Sequence, residues 1–408
     1  MTPTPARLDL AAIRSHFPSL STGTAHFDGP GGTQTPDVVA RAIHDTLVAP
    51  LSNRGSLTEA ERNADLAVVR GRAALADLLG ADPSGIVFGR SMTQLTMDFA
   101  RTLAKRWGPG DEVVVTRLDH DANVRSWVLA ARHVGATVRF ADFDPETGEL
   151  DPAEIARHLS PATRLVAVTA ASNLIGTMPD VRAIADLVHA AGAQLFVDGV
   201  HYAAHAVVDV AAMGADYFAC SPYKFLGPHC GAIHGRAELL EELEPDKLLP
   251  SPDRVPERFE LGTLPYELLA GTAAAVDFLA SLAPSPGTSR RERLVATMTA
   301  LEAHEERLRD RIERAVLGLP GVTVHSRAAR RTPTLLMTFA GSEPRAVQAF
   351  LAEHRINAPA GSFYAYEAAR RLGLGEAGGL RIGLAPYVDD EDVDRLVEAL
   401  RHFPFPRR

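Results

Sequence analysis

Cysteine is nearly absent from this chain. Its 408 residues include two, Cys220 and Cys230, too few for a disulfide framework, and stable disulfides are rare in the cytosol in any case. Long apolar runs are missing as well; no stretch of about eighteen apolar residues occurs, so no membrane span is expected. Met1 to Phe17 lacks a basic region followed by an apolar core, so no signal peptide is expected. Positive charge is in deficit, and the net charge of -9 argues against a nucleic-acid partner. No Gly-x-Gly-x-x-Gly follows the early apolar runs, which argues against a nicotinamide oxidoreductase. His120, Asp121, His201, His205 and His229 show no recognised ligand spacing, so no metal is expected. No internal repeat or low-complexity tract occurs. These absences together favour a soluble cytoplasmic enzyme.

The apolar fraction of 46% and charged fraction of 23% allow a substantial core and exclude a disordered type. The length exceeds one compact core and suggests two domains. From about residue 85 to 235, buried-type strands (Ile86 to Phe88, Glu112 to Val115, Ala136 to Phe140, Leu165 to Val168, Gln194 to Val197) alternate with helical patterns such as Val181 to Ala191. That alternation predicts an α/β fold with a mainly parallel sheet covered on both faces. The breaker-rich stretch Ala283 to Ser289 reads as a linker. A charged amphipathic helix over Arg290 to Leu317 follows it. Then come strands at Val322 to His325 and Thr334 to Phe339, a helix near Pro344 to His354, a strand around Leu380 to Leu384 and a last helix from Asp389 to His402. The expected division is an N-terminal segment 1–20, a large domain 21–285 and a smaller α+β domain 286–408.

Ligands of parallel sheets bind beyond the carboxyl ends of the strands. Ser91 to Thr93, His120, Asn173, Asp198 and Lys224 each follow a strand, which places them at one edge. An aspartate closing an apolar strand, then a later lysine beside a serine, is what pyridoxal phosphate chemistry needs. The amine bonds the aldehyde, the carboxylate keeps the ring nitrogen protonated, and a hydroxyl helps hold the phosphate. Lys224, Asp198 and Ser221 fit those parts. Gly89 to Gln94 opens a helix, so the backbone N–H groups at Ser91, Met92 and Thr93, with the two hydroxyls, suit a phosphate; an ordinary N-cap reads the same way. His120 can stack on an aromatic cofactor, relay protons, or cap the next helix. His201 can reach the phenolic oxygen of the cofactor. Asn173 can donate to its ring or to a substrate carboxylate. Arg381 interrupts an apolar strand, where its planar fork suits a carboxylate.

Taken together, these segments resemble the class V aminotransferase family, in its cysteine-desulfurase-like branch, over residues 20 to 400. The resemblance implies the type I fold of pyridoxal enzymes and a homodimer with sites at the interface. It places Gly31, in Asp28 to Gln34, beside the substrate and Arg54, in Asn53 to Gly55, in the next active-site loop. It implies that Glu260 to Thr263 reaches a neighbouring subunit's phosphate, so Ser91, Thr93, Ser221 and Thr263 serve phosphate. Lys224 would hold the cofactor covalently, Asp198 would pair with the pyridinium, His120 would stack, and Arg381 would take the carboxylate. Three departures stand out. The stretch Ile356 to Tyr364, where desulfurases of this type carry a sulfur-relaying cysteine, has none. Tyr223 replaces a usual histidine beside the cofactor, and His201 a usual glutamine.

The expected activity is that of an amino-acid enzyme in which Lys224 removes the α-proton. A β-thiolate leaves readily because thiols are far more acidic than alcohols. Carbon–sulfur cleavage of a cysteine conjugate, without persulfide storage, is therefore the leading expectation. Epimerisation, transamination and decarboxylation use the same scaffold, and a non-catalytic pyridoxal-binding protein is the rival from another class.

Overall fold

A computed structural model describes residues 8–285 and 287–405. Met1 to Arg7, Pro286 at the expected start of the small domain, and Pro406 to Arg408 lie outside the described residues. In chain order the strands are β1 (Ala25–His26), β2 (Ile86–Gly89), β3 (Glu112–Thr116), β4 (Thr137–Ala141), β5 (Thr163–Thr169), β6 (Gln194–Asp198), β7 (Tyr217–Cys220), β8 (Gly231–Gly235), β9 (Val322–Val324), β10 (Thr334–Phe339), β11 (Ile356–Asn357), β12 (Ala360–Gly361) and β13 (Gly379–Gly383).

The large sheet has the order β2-β8-β7-β6-β5-β3-β4. Strands β3 to β7 pair in parallel, and β8 runs antiparallel to both its neighbours. The sheet is buried on both faces because alternate residues of its apolar runs feed two separate cores. Val114, Val166 and Val197 pack in one core with the helix Glu59–Leu79. Val113, Val115 and Phe196 pack in the other with the helices Met92–Ala104 and Ala122–Val134. This is the parallel-rich α/β architecture of the type I fold. The pair β7–β8 is a feature absent from the sequence expectation, and Lys224 lies in the connection between its strands.

A second sheet, β12-β13-β10-β9, is antiparallel throughout. The helix Arg290–Leu317 leads to it and starts at a full capping box, Ser289 with Glu292. The early chain returns to this second sheet. β1 pairs in parallel with β11, and Asp28 bridges to Gly383. A Cβ on Gly383 would fall 2.1 Å from the Pro30 ring, so the close approach needs glycine there. That contact carries Pro30 and Gly31 to the side of Arg381, which sits on β13.

Candidate active site

Five strand ends converge. Ser91 follows β2, His120 follows β3, Asn173 follows β5, Asp198 ends β6 and Lys224 follows β7. Their side chains line one cavity of about 620 Å³, with Gly31 and Arg381 contributed from the second sheet's side. Met92, Thr93, His201, Ser221 and Tyr223 line it too. Arg54 and Thr263 do not. Arg54 is held by Asp65 at 2.8 Å and Glu257 at 3.1 Å. Thr263 lines a separate cavity of about 400 Å³ beside Gly89 and Gln94. Both therefore lie outside the Lys224 cavity of their own chain, as the expectation that the Thr263 segment reaches a neighbouring subunit's phosphate requires for Thr263. Among the described residues no cluster of histidine, cysteine and acidic side chains is arranged to hold a metal.

Asp198 is buried at the sheet edge, its Oδ1 accepting the Val200 N–H at 2.9 Å. Burial pushes its carboxyl up to about 6, against the pull of that N–H and of Lys224. The Lys224 ammonium donates to the carbonyl of Pro30 and lies 4.8 Å from the Tyr223 ring centroid. Burial, and then the positive charge of Arg381, bring its amine down to about 7, while Asp198 opposes. His120 accepts the Ala122 N–H at Nδ1, 3.1 Å away, which leaves its proton on Nε2. Burial, with Lys224 and Arg381, lowers that imidazole to about 4, so it is neutral at pH 7. Of the alternatives open for His120, a stacking surface suits a neutral, tethered ring best.

Arg381 is buried, and Nη1 donates to the Asn173 carbonyl at 2.8 Å. Its guanidinium carbon lies 3.6 Å from the centroid of the Phe363 ring. Burial depresses it to about 9, and Asp28 resists. Asn173 donates Nδ2 to the Phe363 carbonyl at 2.9 Å. His201 is buried, with Nε2 shared between the hydroxyls of Thr332 (3.0 Å) and Thr334 (2.9 Å). Burial first, then His205, Arg381 and Lys224, hold it well below the ordinary histidine range. Ser91 accepts the Gln94 N–H at 3.1 Å and so caps the helix Met92–Ala104. The phosphate-site and N-cap readings of this segment coexist, because the remaining N–H groups of the first turn stay free of intrahelical partners.

Pyridoxal phosphate fits this set. Arg381 Nε, His201 Nδ1 and Asn173 Oδ1 are buried polar atoms without partners, all on side chains of the same cavity. Such atoms are costly unless a bound molecule satisfies them. An amine, a carboxylate at the far side and a helix start supply the three handles the cofactor requires.

The structure adds residues that the sequence reading missed. Asp119, fully buried, accepts from Asn123 Nδ2 at 2.6 Å and from Thr116, and burial raises it to about 8. Met97, Asp121, Arg125, Phe363 and Tyr364 line the cavity. The adjacent aromatics just after Gly361 were the one visible signal among these.

Residues 25–396 match the family described as Aminotransferase class-V. An uncharacterized protein of Mycobacterium tuberculosis is 34% identical over 394 residues, covering 96% of this chain and 98% of that one. An aminotransferase-like protein of Gibberella zeae is 31% identical, covering 95% and 96%. The crystal structure of the cysteine desulfurase CsdA of Escherichia coli superposes with a TM-score of 0.84 at 27% identity, covering 96% of this chain and 97% of that one. With the lysine, aspartate and arginine in one cavity, these likenesses settle the assignment: the chain belongs to the aminotransferase class-V family and is an enzyme that works with pyridoxal phosphate.

Proposed function

We propose that this enzyme cleaves the carbon–sulfur bond of cysteine or of an S-substituted cysteine, releasing the sulfur as a free thiol or sulfide and storing none on the protein. The observation that carries the reading is the state of its thiols. Cys220 and Cys230 are both buried. Burial raises both thiols, Cys230 to about 11, so neither is a thiolate at neutral pH. The cavity loop that ends in Phe363 and Tyr364 carries no sulfur. The overall likeness to a cysteine desulfurase supports sulfur chemistry, and this thiol arrangement disfavours a relay.

Bound pyridoxal phosphate supplies a protonated ring that accepts the electron pair released when a bond at Cα breaks. Asp198, its carboxyl raised to about 6 by burial and so mostly ionised at pH 7, would hold the ring nitrogen. The first turn at Ser91, Met92 and Thr93, with Ser221, would hold the phosphate. His201, Asn173 and Tyr223 would meet the ring's substituents, and His120 would offer it a stacking surface. Arg381 grips the substrate carboxylate beside the Gly31 backbone, and Phe363 screens that grip from water. Lys224, whose amine burial and Arg381 bring down to about 7 in the apoenzyme, would take the Cα proton and return one. The balanced outcome is S-substituted cysteine plus water giving pyruvate, ammonia and a thiol.

A homodimer belongs to the same proposal. Leu47, Val48, Leu66 and Val69 are exposed on the helices Asp37–Val48 and Glu59–Leu79, which pack on the helix Tyr266–Leu279, and Leu57 and Leu261 are exposed in the segments that lead into the last two. A second copy would cover them and bring Thr263 and Arg54 toward its site. Sedimentation equilibrium at the dimer mass supports this; a monomer at micromolar concentration refutes it. Among the described residues no helix is long and apolar enough to cross a membrane.

The enzyme should release pyruvate and thiol in equal amounts from S-methylcysteine, and Lys224→Ala should abolish both. Solvent deuterium entering Cα without thiol release would replace lysis by epimerisation. A keto acid that keeps its sulfur would replace it by transamination.

A further inference from the structure

Phe363 and Tyr364 adopt φ values of +53° and +59°. Two adjacent non-glycine residues in the left-handed region are strained, and they persist only when the surroundings hold them. Here the surroundings do. The Phe363 carbonyl accepts from Asn173 Nδ2 and the Tyr364 carbonyl from the Asp121 N–H at 2.8 Å. The following helix, Tyr366–Arg371, is tied down at both ends, Glu367 to Arg117 at 2.6 Å and Arg371 to Asp142 at 2.7 Å. The pinning aims both rings at the cavity. Phe363 covers the Arg381 guanidinium, and Tyr364 tilts over His120 with ring centroids 5.6 Å apart. Tyr364 is nonetheless 77% exposed.

The cavity runs from buried Arg381, Asp198 and His201 to exposed Thr93 and Tyr364. A substrate held by its carboxylate at Arg381 and its amino end near Lys224 points its side chain at that mouth. Met97 and Tyr364 are apolar surfaces there. The mouth cation, Arg125, is already neutralised by Asp121 at 3.2 Å, whereas Arg381 has no carboxylate within ion-pair distance among the described residues. The deep end therefore reads charge and the mouth reads apolar area.

We infer that Phe363 and Tyr364 form a fixed aromatic wall that selects substrates with a bulky, uncharged side chain, an S-aryl or S-aralkyl group among cysteine derivatives, over small or acidic ones. The inference rests on the amino-acid reading proposed above. It is tested on the holoenzyme by rapid-mixing titration of the cofactor's visible absorbance, which gives dissociation constants before turnover. The probes are S-benzyl-, S-methyl- and S-carboxymethyl-L-cysteine. S-benzylcysteine should bind at least ten times tighter than S-methylcysteine. Tyr364→Gly removes the ring at a position whose backbone suits glycine, so the fold is kept. It should cut that ratio to about threefold while S-methylcysteine binds within about twofold of its original affinity. Phe363→Leu should weaken all three ligands together, because it uncovers Arg381. Equal affinity for the benzyl and methyl compounds, or a ratio unchanged in Tyr364→Gly, overturns the wall and leaves the lyase reading standing. Tightest binding of the carboxymethyl compound also overturns it, in favour of Arg125 reading charge. No absorbance change with any of the three removes the amino-acid reading, and the wall with it.

Discussion

Apoenzyme mixed with pyridoxal phosphate should take it up at a rate that climbs about tenfold per pH unit below pH 7 and levels off above about pH 8. Only a neutral amine can attack the aldehyde. Burial and the charge of Arg381 lower Lys224 from 10.5 to about 7. At pH 7 an ordinary lysine is neutral in about 0.03% of copies and Lys224 in about half, a gain on the order of a thousandfold in reactive amine. The shift corresponds to about 5 kcal/mol of bias against the charged form, to order of magnitude. Two substitutions must move the midpoint in opposite directions. Arg381→Met removes a repelling cation and raises it; Asp198→Asn removes an attracting carboxylate and lowers it. Stopped-flow absorbance gives the rates, and borohydride reduction followed by peptide mass confirms that the label sits on Lys224. The phosphate of the cofactor itself titrates near 6, so pyridoxal without phosphate is run in parallel. A rate that keeps rising to pH 10, or two variants that shift the midpoint the same way, would refute the reasoning.

Asp119→Asn should change how stability depends on pH. The native carboxyl keeps its proton up to about 8 while the unfolded one releases it near 3.8, so stability falls as pH rises between those values. At about 1.4 kcal/mol per unit, the variant should gain about 3 kcal/mol on the parent between pH 5.5 and 8 in urea unfolding; parallel curves would contradict this. Arg381→Lys keeps the charge and loses the fork, so kcat/KM should fall about 10- to 100-fold, and an unchanged value would remove Arg381 from the carboxylate site. Glu260 accepts two Arg72 bonds at 2.8 Å and the Phe88 N–H at 2.9 Å, all buried. Glu260→Gln should therefore cost about 3–5 kcal/mol in thermal or urea melts. The double variant Arg72→Met with Glu260→Met should recover most of it, and no recovery would show that packing, not the stranded charge, is at fault.

The parts legible in the sequence were those set by local pattern or by chemistry with few alternatives. Val113 to Val115 and Leu195 to Val197 read as buried strands because nothing polar interrupts them, and they are. Lys224 and Asp198 stood out because few other reactions need an amine and a strand-end carboxylate together. Strands β7 and β8 were not legible: one is a four-residue run that stops at a proline turn, and the other both begins and ends in glycine. Phe363 and Tyr364 gained their place from a backbone conformation fixed by Asn173 and Asp121, residues far away in the chain. The chain Glu305, His205, His201 spans a hundred positions, with His205 Nδ1 bonded to Glu305 at 2.8 Å and the two rings edge to face at 4.8 Å. No periodicity encodes such a pair. Arg54 and Thr263 rest on motif likeness alone: the likeness sends the Thr263 segment to a neighbouring subunit, and both residues lie outside the Lys224 cavity of their own chain.

Lys224 and Arg381 raise one further consequence. Arg381 is buried and Lys224 half-buried, and Arg381's charge helps hold Lys224 near 7. A carboxylate bound at Arg381 cancels that charge, so ligand binding must make Lys224 more basic. The amine would then be free when it has to capture the cofactor and stronger when it has to accept a proton from the substrate. Linkage makes the effect reciprocal: a simple carboxylate must bind more tightly below pH 7, where Lys224 is charged, than above it. Propionate, which has no amino group to react, separates this from chemistry. It should move the midpoint of cofactor uptake upward in the parent and leave it in place in Arg381→Met. A midpoint indifferent to propionate in the parent would mean that the two cations do not sense one another. The lowered amine would then be owed to burial alone.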